Sequence, residues 1–153
     1  MNIRRYRDSD WDDLVRMEFA LLPHAAEEDD GQASWMRQIV SNPEAAVFVA
    51  ERADGSVCGF VEAGTRPYAD GCDTSPVGYV EAWWVDNDMR RHGIGRALLR
   101  AAEDWARGKG YQEMASDALL DNLVSHEAHK RNGYEEVDRV VQFRKSLDDD
   151  GKR

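Results

Sequence analysis

Between a hydrophobic strand pattern and a helical one, the chain reads Arg90-Arg91-His92-Gly93-Ile94-Gly95-Arg96. Two glycines at such a junction let the backbone approach a bound group closely. The first free N–H groups of the helix, at its positive dipole end, form an anion site that suits a pyrophosphate. Flanking arginines add charge, although the same residues also suit a tight strand-to-helix turn with surface arginines. Other phosphate sites are spaced differently. No Gly-Lys-Ser/Thr completes a P-loop, and the Gly-x-Gly-x-x-Gly dinucleotide pattern fails at Leu98. What remains is Arg-x-x-Gly-x-Gly, Arg90 to Gly95, followed by Ala97-Leu98-Leu99.

A second set of residues is acidic and suits the activation of an amine. An amine with a lysine-like pKa is about 99.9% protonated at neutral pH, so making it a nucleophile costs on the order of 4–5 kcal/mol unless a carboxylate accepts its proton. Glu81 and Asp117 fall toward the ends of adjacent strand patterns, and Asp117 is the first choice for that acceptor, with Glu81 next. The Gly-, Asp- and Pro-rich stretch 65–76 is too long for a tight turn and reads as a substrate loop, with Tyr68, Asp70, Cys72 and Asp73 at its tip. Each acid has a plainer role open to it, a loop cap for Asp117 and a salt bridge for Glu81, and Tyr68 equally suits an exposed loop aromatic. His126 and His129 stand three apart on a helix, but no third ligand is placed and no metal is expected. Trp11, Trp35 and Trp105 read as core.

Positioning these groups takes a mixed α/β unit. Residues 2–5 form an opening strand. Trp11, Leu14, Val15, Phe19 and Leu22 recur at helical spacing up to Pro23, the acidic run 27–30 follows, and a second helix covers about 32–40. The period then changes to strands at 46–51 and 57–64, joined through Asp54-Gly55, a hairpin signal. A central strand at 77–85 leads through the arginine turn into a helix to about 107. A strand at 111–116, a helix at 122–131 and a closing strand at 134–144 complete the order, before a frayed tail, 148–153. Nothing marks a linker, so residues 1–147 read as one domain, a mixed and mostly antiparallel central sheet flanked by helices, α/β (α+β) in class.

Composition agrees. The 153 residues carry 20 Lys and Arg against 30 Asp and Glu, a net charge of −10. That balance repels phosphates and anionic headgroups and disfavours nucleic acid as a partner, whereas a basic ligand fits. No run approaches the roughly 18 apolar residues of a membrane span, and the N-terminus lacks the apolar centre of a signal peptide, so a cytoplasmic location is expected. Cys58 and Cys72 read as unpaired thiols.

The Arg-x-x-Gly-x-Gly pattern and the element order resemble the GNAT superfamily of N-acetyltransferases. Tyr79-Val80-Glu81-Ala82-Trp83-Trp84-Val85, Arg100-Ala101-Ala102-Glu103-Asp104-Trp105-Ala106, Met114-Ala115-Ser116-Asp117, Ser125-His126-Glu127-Ala128-His129 and Val140-Val141-Gln142-Phe143-Arg144-Lys145 resemble the aminoglycoside 6'-N-acetyltransferases within it, over about residues 3–147. The resemblance implies acetyl transfer from acetyl-CoA to the 6'-amine of an aminoglycoside, in a ternary complex without an acyl-enzyme, and with it antibiotic resistance. It implies that Trp83, Trp84 and Val85 offer backbone groups to the acetyl and pantetheine portion, that Arg91, His92, Gly93, Ile94, Gly95 and Arg96 hold the pyrophosphate, and that Asn122 touches the cofactor near the thioester. Leu22, Tyr68, Glu81, Asp117 and Asp138 would line the aminoglycoside site. Leu22 stands before Pro23-His24 where the family usually has Trp. His129 occupies the place, four before Gly133, where many relatives carry a thiolate-protonating Tyr. A homodimer is expected, pairing through the closing strand. The competing readings are a polyamine, peptide N-terminus or lysine as acceptor, and an acetyl-CoA-binding module without chemistry.

Overall fold

A computed structural model describes residues 1–22 and 30–148. Pro23, His24, most of the acidic run and the tail beyond 148 lie outside the described residues. The elements are β1 (Asn2–Arg5), α1 (Trp11–Leu21), α2 (Asp30–Ser41), β2 (Ala46–Glu51), β3 (Val57–Arg66), β4 (Val77–Val85), α3 (Ile94–Gly108), β5 (Met114–Ser116) and α4 (Leu123–Arg131).

The strands lie in the order β1-β2-β3-β4-β5. The first three pairings are antiparallel and β4–β5 is parallel. Alternation along the strands sends side chains to two cores. Val47, Val49, Val57 and Phe60 meet Leu14 and Met17 of α1 and Met36 and Ile39 of α2 on one face. Ala50, Cys58, Val61, Ala63 and Val80 meet Ile94, Leu98, Leu99 and Ala102 of α3 on the other. β3 is buried from Val57 through Gly64 because helices cover both of its faces. Gly55 adopts φ 90° in the β2–β3 turn, the left-handed conformation that Asp-Gly hairpins require. β1 is tied to the start of α1 by Arg4, whose two Nη groups donate to the carboxylate of Asp10 at 2.8 and 2.9 Å.

Four expectations are corrected. The closing strand is absent: residues 134–144 pair with no strand among those described, and Val137, Val140, Val141 and Phe143 are exposed. β5 has only three residues, starting at Met114 rather than 111, and a wide cleft separates its outer edge from this segment. A strand forms only where a partner edge is within hydrogen-bonding reach, so the apolar alternation of 134–144 remains unfulfilled in the single chain. Trp35 is 42% exposed rather than core, because it projects from α2 beside the small hollow described below. α4 begins at Leu123, with Asn122 outside it as the N-cap, its Oδ1 accepting the Ser125 N–H at 3.2 Å.

Candidate active site

The parallel strands β4 and β5 pair only through Gly78–Met114, Tyr79–Ala115 and Val80–Ser116. Beyond that point β4 runs on to Val85, so its backbone groups on the β5 side are available to a ligand. The next residue on each strand past the last pair is an acid, Glu81 on β4 and Asp117 after β5. Glu81 is also the extra residue of a β-bulge, since Glu62 and Ala63 of β3 face Ala82 and Val80. A bulge re-aims the side chain it carries and ends regular pairing. It puts Glu81 above Gly64, where a Cβ would lie 3.5 Å from its carboxylate.

Asp117 is fixed by Tyr79, whose hydroxyl donates to Oδ2 at 2.5 Å. Burial of Tyr79, and then that hydrogen bond, raise the phenol well above its ordinary value, so it stays protonated and keeps donating. Glu81 is held at two points by Arg66, Nε to Oε2 at 3.0 Å and Nη2 to Oε1 at 2.8 Å, and the guanidinium stacks 3.5 Å over the Tyr79 ring. Neither Tyr79 nor Arg66 was singled out from the sequence. Their meeting is set by the β3–β4 register, Gly64 opposite Tyr79, which no local signal reveals.

A cleft of about 1320 Å³ runs between the loop after β3, the end of β5, α4 and the C-terminal segment. It brings together Tyr68, Asp117 and Asp138, with Arg66 and Tyr79 in its wall. Glu81 instead lines a hollow of about 100 Å³ with Trp35, Gly64 and Thr65, so the Arg66–Glu81 pair is the partition between the two spaces. Tyr68, 68% exposed, donates to Asp70 Oδ1 at 2.8 Å. The substrate loop touches the C-terminal segment at Gly71, where a Cβ would come within 2.7 Å of Val137. Leu22 caps the C-terminus of α1, exposed, and lines neither space.

On the opposite side of β4, α3 starts at Ile94 with Gly93 as an N-cap that has no side chain to offer, and its first hydrogen bond runs from Ala97 N to Gly93 O at 3.1 Å. The amides of its first turn are therefore left for an anion. Arg91, His92 and Arg96 are exposed around that turn. The two glycines have different causes. Gly93 has φ 80° with open space around it, whereas Gly95 is needed because a Cβ would lie 3.1 Å from the Trp83 ring. Trp83 Nε1 donates to Gly95 O at 3.1 Å, which anchors the strand to the helix start. The Val85 carbonyl is already used by Arg90 Nε at 2.8 Å, and Trp84 is stacked under Arg90 and bonded to Asp86. The turn and the unpaired edge of β4 fit a pyrophosphate followed by an amide-bearing chain.

His129 lies in the wall of the large cleft. Its Nδ1 is 2.7 Å from the Ser125 carbonyl, to which an Nδ1–H donates, and its Nε2 is 2.8 Å from Ser116 Oγ. His126 Nε2 is turned to the Leu119 carbonyl at 2.8 Å. Among the described residues no three His, Cys, Asp or Glu side chains are grouped to hold a metal, and no helix is long and apolar enough to cross a membrane.

A mixed sheet that forks beside an uncapped helix start, with carboxylates at the fork, is the arrangement of an N-acyltransferase that takes its acyl group from a pyrophosphate-bearing thioester. The chain belongs to the Acetyltransferase (GNAT) family, which it matches over residues 7–134. It is 37% identical over 147 residues to the aminoglycoside N(6')-acetyltransferase type 1 of Stenotrophomonas maltophilia, covering 95% of this chain and 94% of that relative. It is 45% identical over 115 residues to the enzyme of the same name from Klebsiella aerogenes, 75% of each chain. In three dimensions it is similar to the aminoglycoside antibiotic 6'-N-acetyltransferase AAC(6')-Ih from Acinetobacter baumannii, with TM-score 0.86 at 32% identity over 96% of this chain and 99% of that one. It is also similar to AAC(6')-Iy in complex with the bisubstrate analog CoA-S-monomethyl-acetylneamine, with TM-score 0.85 at 33% identity over 95% and 98%.

Proposed function

We propose that this protein is an acetyl-CoA-dependent N-acetyltransferase that acetylates the 6'-amine of aminoglycosides, and so confers resistance to them. The observation that carries the reading is the placement of Glu81 and Asp117 one residue past the last paired positions of β4 and β5, beside the uncapped start of α3, in a chain of this family. Acetyl-CoA supplies an acyl group activated as a thioester and leaves as the free thiol once the amide bond has formed.

The chain's residues do the rest. Amides at Gly93 to Arg96, with Arg91 and His92, hold the pyrophosphate, and Asn122 lies nearer the thioester. The backbone groups of Trp83, Trp84 and Val85 that face the β5 side bind the amide-bearing arm, and N–H groups among them stabilise negative charge on the carbonyl oxygen. Tyr68, Glu81, Asp117 and Asp138 receive the ammonium groups of the sugar. One oxygen of Asp117 is committed to Tyr79. The other takes the proton that the ammonium must lose before it attacks, directly or through a water. Cys58 is buried and Cys72 is on the loop, and burial raises both thiols above their ordinary value, so a direct transfer without an acyl-cysteine fits. His129, held between the Ser125 carbonyl and Ser116 Oγ, is suited to stationing Ser116 beside Asp117.

Residues 1–147 act as one domain in this reading, and the enzyme works in the cytoplasm, as a homodimer. The unfulfilled alternation of 134–144 and the exposed Leu119, Leu120, Leu123 and Val124 beside the cleft support a second copy as their cover. The test is thiol release from acetyl-CoA with a panel of amines. Sugars with a 6'-amine should turn over, and the same sugars with a 6'-hydroxyl, spermidine and peptides should not. Equal rates on all of them would defeat the aminoglycoside assignment.

A further inference from the structure

Arg66 ends β3, and its guanidinium already sits as a bound cation would. A carboxylate grips it at two points, 3.0 and 2.8 Å, and an aromatic ring lies 3.5 Å beneath it. The Glu81 bond, and more weakly the charge of Asp117, favour its protonated form. Carboxylate, π-face and a second acid together are what chemistry provides for an organic cation. Each of these groups belongs to the acceptor side of the fork.

The pair is not built like a structural ion pair. Arg66 is 41% exposed while Glu81 is 14% exposed, so the arginine covers the acid from the solvent side and can swing away without opening the core. The two-point contact gives the pair some strength, so a ligand that takes Glu81 must offset its loss. The cost of displacing Arg66 depends on what replaces it. An amine with a single positive charge exchanges one cation on Glu81 for another and gains little. A rigid polycation replaces Arg66 on Glu81 and, with the same binding event, reaches Asp117 and Asp138 across the partition, so its further contacts are nearly intramolecular.

We infer that Arg66 is the resident counter-cation of the acceptor site, neutralising Glu81 until a polycationic acceptor displaces it, and that this common cost leaves the site to acceptors whose further contacts offset it. This rests on the proposed function, in that the acceptor is taken to be a polyamine sugar.

Calorimetric titration of the full chain with neamine, which carries several amines, and with glucosamine, which carries one, tests it, using Arg66→Met and Arg66→Gln, each checked for folding by circular dichroism. Both variants should bind neamine and glucosamine roughly three- to tenfold more tightly than the wild type, because each ligand is relieved of the same displacement. Arg66→Lys should retain the wild-type affinities. In turnover the gain should fall on KM, with kcat unchanged. Unchanged or weaker cation binding in both folded variants overturns the inference, and so does failure of both to fold, since the pair would then be structural. A wild type that turns over no aminoglycoside removes the proposed function instead. The change in cation affinity between wild type and Arg66→Met still decides the role of Arg66.

Discussion

Two carboxyl groups are enclosed in the core beneath the acceptor face, Glu18 of α1 and Glu62 of β3, at 1% and 0% exposure. Burial first, and then the nearness of Glu18 and Glu81, push Glu62 far above the ordinary glutamate value of 4.5, and burial raises Glu18 too. Enclosed together they cannot both ionise, so the native pair keeps a proton that the unfolded chain releases above pH 4.5. Native protein then binds more protons than unfolded protein, and stability falls as pH rises from 4.5 toward the raised native value. The slope is about 1.4 kcal/mol per pH unit for each proton retained. Over two pH units that is about 2.7 kcal/mol, a large part of a typical 5–15 kcal/mol. Glu62→Gln keeps the shape and an N–H donor for Glu18 but cannot ionise, so its stability should be nearly level over the same range and should exceed wild type most at the alkaline end. Urea unfolding of both proteins at pH 5.5, 6.5 and 7.5 measures the two slopes. Parallel slopes, or a wild type that gains stability toward pH 7.5, would show that the pair gives up its proton in the folded state and refute the reasoning.

Asp117→Asn should lower kcat/KM for a 6'-amino sugar by about 10²- to 10⁴-fold, read by steady-state thiol release, while acetyl-CoA binding stays as in wild type. Asp10 has the opposite pH signature to Glu62. The Arg4 hydrogen bond, outweighing burial, depresses its carboxyl below 3.8, so its stabilising effect is present above that value and is lost as pH falls through the native one. Asp10→Asn should cost about 1–3 kcal/mol in urea unfolding at pH 7, with a smaller difference at pH 3. Sedimentation of the full chain should give a dimer, and removing residues 135–153 should give a monomer with an exposed cleft; a monomeric full chain at micromolar concentration would count against the dimer.

The strands at Asn2–Arg5 and Val77–Val85 were legible to the residue, because alternation there is fulfilled by neighbours in the same chain. The segment 134–144 has the same alternation and is not a strand. Pairing needs an edge, and β5 offers three residues across a wide gap. Glu81 and Asp117 were legible as acids near strand ends. Their placement at the fork was not, since it depends on a bulge and on a parallel register. Arg66 was hidden for a similar reason, as its partners Glu81 and Tyr79 come from β4. Glu62 could have been found: an acid two residues from Phe60 and two from Gly64 in an otherwise apolar run falls on an inward-facing position. The −10 balance pointed toward a cationic ligand without saying which acids face it.

The two ligands this site is proposed to join carry opposite charge, and the sheet is what lets one small protein attract both. The start of α3 packs through Gly95 on Trp83, on the face that carries Ile94 and Leu98. Glu81 and Tyr79 meet Gly64 and Arg66 on the other face. With β4 between them, the exposed Arg91 and Arg96 are kept from pairing with the acids that must remain open to an amine, and Arg90 is fastened to Val85 and Trp84. Where β4 and β5 separate, the two fields meet, and that is the one position from which an amine on the acidic side can reach a carbonyl held from the basic side. The cation set against Glu81 is then informative: an arginine retained there costs affinity for every acceptor, and only an acceptor with further contacts to make on the acidic face offsets that cost.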